Sequence, residues 1–329
     1  MLKLNAVAAA IMVTLFSGYA HADLNTGLMA YYNFDDCSAK DSSINGNHGT
    51  IHGNLTCNTG IANKAAVFDG NTYISVPNSP SLNPNTQLTI SFWIQVKVDD
   101  YVTSYPVVIG KLVNSQRCYQ YDSCGFYEYS GRNGQGTEYN VFLVKSKGVY
   151  YPRSAFGQES AGDFNSYVHS SFSRLITANR QTAARDGQWM HYIGVIDRVK
   201  HRQRIYVNAE FHRNSRDSYS GFNTNNADLA IGGVKLDTGI IGIKGALDEV
   251  RLYNRALSED EIIKLFNQGF SVEGSINSLD THTVTCVNET TAQSISIPTT
   301  TRTKYDCEAK GLKVNPQDDI TITIKGKAQ

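Results

Sequence analysis

Gln87-Leu-Thr-Ile-Ser-Phe-Trp-Ile-Gln-Val96 alternates polar and apolar residues with a period of two. That spacing puts Leu88, Ile90, Phe92 and Ile94 on one face of an extended strand. Trp189-Met-His-Tyr-Ile-Gly-Val-Ile196 repeats the pattern, and Gln203-Arg-Ile-Tyr-Val-Asn208 follows it across a charged turn. Upstream, Leu28 to Phe34 and Lys64 to Gly70 are short apolar runs, and Asp-Gly-Asn turns the second into Tyr73-Ile-Ser-Val76. Downstream, Leu229 to Gly233 and Gly245 to Tyr253 complete the series. One short helix is readable: Ser258-Glu-Asp-Glu261 is a capping box before Ile262, Ile263, Leu265 and Phe266, with Gly269 as the stop. Its carboxylates satisfy the first turn of a helix, which assigns them to capping and not to catalysis. Strands at this spacing, without a long amphipathic helix, predict an all-β antiparallel sandwich or jelly roll.

The 329 residues exceed one small domain and are 41% hydrophobic, enough for a sizeable core. Thirty basic residues balance thirty acidic ones, so no bulk field attracts nucleic acid or an anionic membrane, although a local basic patch stays compatible with this balance. Lys3, the apolar run Ala6 to Phe16 and the small-x-small site Ala20-His21-Ala22 read as a signal peptide over residues 1–22. The expectation is an extracellular or periplasmic protein with no transmembrane segment in the mature chain. Six cysteines agree with export. They fall as neighbours, Cys37 with Cys57, Cys118 with Cys124 and Cys286 with Cys307, and local pairing is the expectation, although sequence alone does not choose the connectivity. Beyond Gly269 the composition shifts to Thr, Ser, Val and Ile. Residues 23–270 are therefore read as the main domain and 271–329 as a small β module held by its own disulfide.

Eight blocks in order carry a resemblance. They are Gly27 to Asp35, Asp41-Ser-Ser-Ile-Asn-Gly-Asn-His-Gly49, Val67-Phe-Asp-Gly70 with Tyr73-Ile-Ser-Val76, Thr89-Ile-Ser-Phe-Trp93, Gln188-Trp-Met-His-Tyr192, Ile205-Tyr-Val-Asn208, Ile231-Gly-Gly233, and Leu247-Asp-Glu-Val-Arg-Leu-Tyr-Asn-Arg-Ala-Leu-Ser258. Together they resemble the laminin-G-like jelly roll of the concanavalin A-like lectin/glucanase superfamily. The resemblance implies a structural calcium site near the meeting of the first and last strands, at Asn33, Asp35, Gly70 and Asp248. Calcium accepts carboxylate and backbone oxygens alike. The alternative is that Asp248 pairs with Arg251 or caps a strand and that Asp69 is a turn residue. Asp41 to Gly49 reads as a turn with Asx hydrogen bonds, since no glutamate closes a calcium loop.

The segment from Tyr101 to Leu175 departs from the compact family pattern and is rich in tyrosine and arginine. A tyrosine ring stacks on sugar C–H groups while its hydroxyl reaches sugar oxygens, and arginine forks onto carboxylate or sulfate. Tyr119, Tyr121, Tyr127, Tyr129, Arg132, Tyr150 and Tyr151 are the candidate ligand-binding residues, against the plainer reading of packing and loop anchoring. No catalytic residue is assigned. Glycoside hydrolysis needs two carboxylates across a cleft. The Glu-x-Asp-x-x-Glu strand motif of the superfamily's glucanases is absent, because no Glu has Asp two positions later. The expected function is binding of a glycan or polysaccharide without turnover. The alternatives are a polysaccharide lyase or glycosidase on the same fold, the lyase with Tyr167, His169 and Arg174 as residue types, and a module that binds a surface protein.

Overall fold

The computed structural model describes residues 23–97, 106–112, 138–146, 149–156, 176–177, 187–217, 220–222, 224, 226–236, 239–268, 273–275, 282–299, 304–307, 310–312 and 320–326. In chain order come β1 (Leu28–Tyr32), β2 (Thr50–His52), β3 (Thr56–Thr59), β4 (Lys64–Asp69) and β5 (Tyr73–Val76). A 3-10 turn at Pro80–Leu82 precedes β6 (Gln87–Val96), β7 (Val107–Lys111), β8 (Tyr139–Ser146), β9 (Val149–Phe156) and β10 (Ile176–Thr177). Next are β11 (Trp189–Asp197), β12 (Arg202–Val207), β13 (Glu210–Arg216), β14 (Leu229–Ile231), β15 (Gly233–Leu236), β16 (Gly239–Gly242) and β17 (Lys244–Tyr253). The helix α1 (Glu259–Gln268) is followed by β18 (Glu273–Ser275), β19 (His282–Asn288), β20 (Gln293–Thr299), β21 (Lys304–Asp306) and β22 (Ile320–Gly326).

Two large sheets result. One runs β13-β12-β11-β6-β17-β4-β3, with β1 also on β17; the other runs β10-β9-β8-β7-β14-β5-β2, with the β15–β16 hairpin attached through β7. The period-two strand dictates the packing. Leu88, Ile90, Phe92 and Ile94 share one buried cluster with Ile74 and Val76 of β5, Val141 and Leu143 of β8, and Leu229 and Ile231 of β14. Each such side chain removed from water contributes about 1.5–3 kcal/mol. This is the jelly-roll sandwich that the alternation predicts. Gly232 keeps the layers close: its φ is +76°, and a Cβ there would lie 2.1 Å from the Phe68 ring.

The outward face of the eight-stranded sheet carries Trp93, His191, Ile193, Val195 and Tyr253, and α1 covers it. Ile262 and Leu265 pack with Ile193, Val195 and Tyr253, and Phe266 stacks on Trp93 at 5.3 Å between ring centroids. The capping box forms as expected: the Ser258 N–H donates to Glu261 Oε2 at 2.9 Å and the Glu261 N–H donates to Ser258 Oγ at 3.3 Å.

The tyrosine-rich segment is not loop throughout. Its chain builds β7, β8 and β9 into the nine-stranded sheet. Tyr139 and Phe142 are fully buried there, and the Tyr139 hydroxyl donates to the Leu82 carbonyl at 3.1 Å, so both belong to packing. Among the described residues, β18 pairs only with β21, and β19 only with β20 and β22, separate from the two large sheets. Val284, Cys286, Ile297, Cys307 and Leu312 form a small buried cluster there. Disulfides join Cys37 to Cys57 and Cys286 to Cys307, with Cα separations of 5.9 and 6.2 Å. Cys118 and Cys124 lie outside the described residues, as do residues 1–22.

Candidate functional site

The alternation of β5 decides where the outer surface of the nine-stranded sheet becomes sticky. Ile74 and Val76 enter the core, so Tyr73 and Ser75 face outward. Ile51 of β2 packs inward, so His52 shares the outward face and stacks on Tyr73, ring centroids 4.4 Å apart and 8° from parallel. The His52 Nε2 and Ser75 Oγ atoms are hydrogen-bonded at 2.8 Å. Beside them Val107, Leu112, Ala230 and Val234 make a second buried apolar cluster outside the main core. Between these groups lies a groove of about 540 Å³, lined by Tyr73, Ser75, Leu112, Asp228, Ala230 and Lys235, with Asn226 also on its wall. Asp228 is fixed there by accepting the Asn78 N–H at 3.0 Å. The arrangement is an aromatic face over an apolar floor, with an acceptor and an ammonium group at the rim, and such groups suit a partly apolar, hydroxyl-rich ligand.

The groove wall is also the root of the tyrosine-rich segment. Leu112 lines the groove, and the preceding residue, Lys111, forms a fully buried ion pair with Glu138 across the base of residues 113–137, Nζ to Oε2 2.9 Å. The Lys111 ammonium also donates to Asn78 Oδ1 at 2.8 Å and to Asn83 Oδ1. Burial pulls the Lys111 pKa down while the Glu138 charge opposes that pull. Tyr119, Tyr121, Tyr127, Tyr129 and Arg132 lie outside the described residues. Tyr150 and Tyr151 are described by backbone alone, in β9 opposite Lys145 and Val144 of β8. Tyr73 was quoted above only as a strand residue. The signal that marks it is an aromatic ring at the outward position between two core residues, with a histidine across the strand pair.

The predicted calcium residues sit around an irregularity in β17. That strand pairs with β4 through Leu247 and with β1 from Val250, which leaves Asp248 and Glu249 between the two partners. Glu249 is left-handed, φ 52°, and the register against β6 shifts there. Asp248 is fully buried. Its Oδ2 accepts the N–H groups of Ile61 and Ala62 at 2.8 and 3.1 Å, and its Oδ1 accepts that of Glu249 at 2.8 Å. Gly60 is required beside it, since a Cβ would lie 2.4 Å from Oδ2. Burial, the largest influence, raises the Asp248 pKa to about 7 against those three donors. Asn33 and Asp35 bond each other, Nδ2 to Oδ2 at 3.1 Å, and Asp35 Oδ1 is buried with no hydrogen-bond partner.

Gly70 is elsewhere. It follows Asp69, which pairs with Lys244, and the Lys244 stem lies against it. Four steps along the strand lead from Lys244 to Asp248, about 13 Å at ~3.3 Å per step, whereas calcium holds its oxygens at about 2.3–2.6 Å. The four residues therefore do not fit one ion. The orphaned Asp35 oxygen fits a cation; the Asp248 carboxylate already serves as the anchor of the Gly60–Asn63 turn. Asp41 is likewise self-contained, accepting the Tyr31, Ser43 and Asn47 N–H groups at 2.8 to 2.9 Å. Among the described residues no three His, Cys, Asp or Glu side chains group as metal ligands.

The laminin-G family model described as "Concanavalin A-like lectin/glucanases superfamily" matches residues 68–263, more than half of the chain. The chain belongs to this family. Among solved structures that resemble it, the binding domain of Paraclostridial Mosquitocidal Protein 1 superposes with a TM-score of 0.55 at 14% identity, covering 84% of this chain and 65% of that one. The botulinum neurotoxin DC binding domain, solved with SialylT and separately with rat synaptotagmin II, gives TM-scores of 0.51 and 0.50 at 10% and 12% identity. Each match covers 81% of this chain and 58% of that one. Domain 4 of AbnA, an extracellular arabinanase from Geobacillus stearothermophilus, in complex with arabinotriose, gives 0.49 at 22% identity over 72% of this chain and 97% of that one. The chain spans less than two thirds of the toxin domains' length, and these likenesses concern the fold. No curated protein matches the chain. Among the described residues no helix is long and apolar enough to cross a membrane.

Proposed function

We propose that this protein is an exported, non-catalytic carbohydrate-binding protein that holds a glycan in the groove over Tyr73. The observation that carries the reading is the stacked His52–Tyr73 pair beside an apolar floor, with Asp228 and Lys235 at the rim. A sugar presents C–H groups to a ring and hydroxyls to carboxylate and ammonium, so one groove satisfies both halves of its surface. Leu112, at the entry to residues 113–137, brings the root of the tyrosine-rich segment to the same wall, and we assign Tyr119, Tyr121, Tyr127, Tyr129, Arg132 and Tyr151 to the same ligand; strand alternation puts position 150 on the other face of β9 and takes Tyr150 out of the set. Family membership supports a glycan over other ligands, and the toxin binding domain solved with SialylT is a relative of the same fold.

The reading includes export through residues 1–22, a main unit over residues 23–270 and a stapled module over 271–329. Two disulfides suit an oxidising compartment. It also includes a structural calcium at Asn33 and Asp35, supported by the unpartnered Asp35 oxygen. A glycan array with the mature chain tests the proposal. Retention of a sugar class that Tyr73→Ala reduces at least about tenfold, with the melting temperature kept, supports it. Turnover of any array polysaccharide, or retention indifferent to Tyr73→Ala, contradicts it.

A further inference from the structure

The chain is neutral as a whole, yet residues 199–216 hold five cations, Lys200, Arg202, Arg204, Arg213 and Arg216, against one carboxylate, Glu210. They build the β12–β13 hairpin, whose second strand is, among the described residues, an edge of the eight-stranded sheet. Ile205 and Val207 enter the core, so Arg202, Arg204 and Tyr206 point outward. Across the ladder, Arg202 faces Arg216, Arg204 faces Asn214 and Tyr206 faces Phe211. The result is three rows about 13 Å long from end to end. Two rows carry guanidiniums, and the third is an edge-to-face aromatic pair, centroids 5.5 Å apart, whose Phe211 ring is 53% exposed.

Like charges directly opposite on a strand pair oppose folding. Among the described residues, Arg202, Arg213 and Arg216 form no ion pair, while Arg204 donates to the Tyr206 hydroxyl and the Leu257 carbonyl. The carboxylates nearby have other partners: Asp197, across the ladder from Arg202 on β11, accepts from Gln87 Nε2 and the Lys200 N–H, Asp217 is buried on Arg198 and Gln203, and Glu259 accepts from Tyr206 at the aromatic end. Charge on an edge strand also discourages sheet-to-sheet pairing. That purpose is met by isolated charges and gives no reason to oppose Arg202 with Arg216. Four of the five cations are arginine, whose planar fork matches carboxylate and sulfate oxygens two at a time. Two apolar side chains are exposed here, Val199 in the turn that leads into β12 and Phe211 on β13, which is little to insert into a lipid surface.

We propose that the outward face of the β12–β13 hairpin is a second carbohydrate site, one that takes an acidic polysaccharide, with uronate or sulfate groups on Arg202, Arg204 and Arg216 and a sugar ring on Phe211. It stands on the opposite sheet from the Tyr73 groove and does not depend on it. Titration of the full mature chain with polygalacturonate, dextran sulfate and neutral dextran, at low and high salt, tests the site. One or both acidic polymers bind and neutral dextran does not; which polymer binds tells carboxylate from sulfate. The Arg202→Gln, Arg216→Gln double variant loses about tenfold or more in affinity and shows a flatter salt dependence. It keeps or raises its melting temperature, because a repulsive pair has gone. Phe211→Ala weakens binding without changing the salt slope, and Tyr73→Ala leaves it unchanged. The site is refuted if the double variant binds as the wild type does, if Tyr73→Ala abolishes acidic-polymer binding, or if the chain binds phosphatidylserine vesicles and neither polymer.

Discussion

Replacing Lys111 by methionine should damage both the fold and the groove. Among the described residues the three protons of the ammonium face Glu138 Oε2, Asn78 Oδ1 and Asn83 Oδ1. Both side chains of the ion pair are wholly shielded from water. Methionine fills the volume but takes the Lys111 charge away from the buried Glu138 carboxylate, which costs about 3–5 kcal/mol for a buried pair broken on one side. Against a total stability of about 5–15 kcal/mol, that is a large fraction. Glu138→Leu alone removes the carboxylate that faces the buried ammonium and should cost a similar amount. The double variant, Lys111→Met with Glu138→Leu, removes both charges together. It should recover to within about 2 kcal/mol of wild type, the remainder reflecting the amide oxygens left at Asn78 and Asn83. Denaturant unfolding of the four proteins measures the coupling as a double-mutant cycle. Glycan affinity should follow the same order, because the pair sets the position of Leu112 in the groove wall. Single-variant losses below about 1 kcal/mol, or losses that simply add in the double variant, would refute the reasoning.

Two buried groups bend stability with pH in opposite senses. Asp248, raised to about 7, contributes stability below the ordinary carboxylate pKa and loses it as pH climbs to 7, about 4 kcal/mol in all. His191, pushed down to about 3 by burial and by Arg251, contributes above its ordinary 6.5 and loses that as pH falls. The two offset one another between pH 4 and 6.5, so His191→Phe should uncover a stability that rises as pH is lowered from 7 to 4; a flat profile in that variant speaks against the Asp248 assignment. Removing the Cys37–Cys57 bridge by paired serines releases a loop closed over 20 residues, and the unfolding free energy should drop by about 3 kcal/mol. Chelation by EDTA should lower the melting temperature of the wild type and not that of Asp35→Asn; no shift in either protein removes calcium from the account.

The strands that build the core were readable because one face of each is apolar. Gln87 to Val96 and Tyr73 to Val76 coincide with β6 and β5, and the Ser258 box starts α1 one residue on. β13, Glu-Phe-His-Arg-Asn-Ser-Arg, carries no such pattern because an edge strand against solvent buries almost nothing. β7 is buried along its whole length, and its final residue is a lysine, which reads as a surface position until its partner Glu138 is seen across the hairpin base. Tyrosines in Tyr101 to Leu175 could not be sorted by type alone. Tyr139 is a core residue by virtue of its place on β8. The groove escaped notice for the converse reason: His52 and Tyr73 lie 21 positions apart, and only the β2–β5 pairing stacks them. Gly70 entered the calcium set through the family resemblance, whereas the β4–β17 register sets it beside Lys244.

A crystal structure of the mature chain with an oligosaccharide retained on the array is the most direct measurement. Density for a sugar ring in van der Waals contact with Tyr73, its hydroxyls bonded to Asp228 or Lys235, is the predicted result. An oligosaccharide seated away from the outward face of β5, with the Tyr73 groove holding only water, would contradict it.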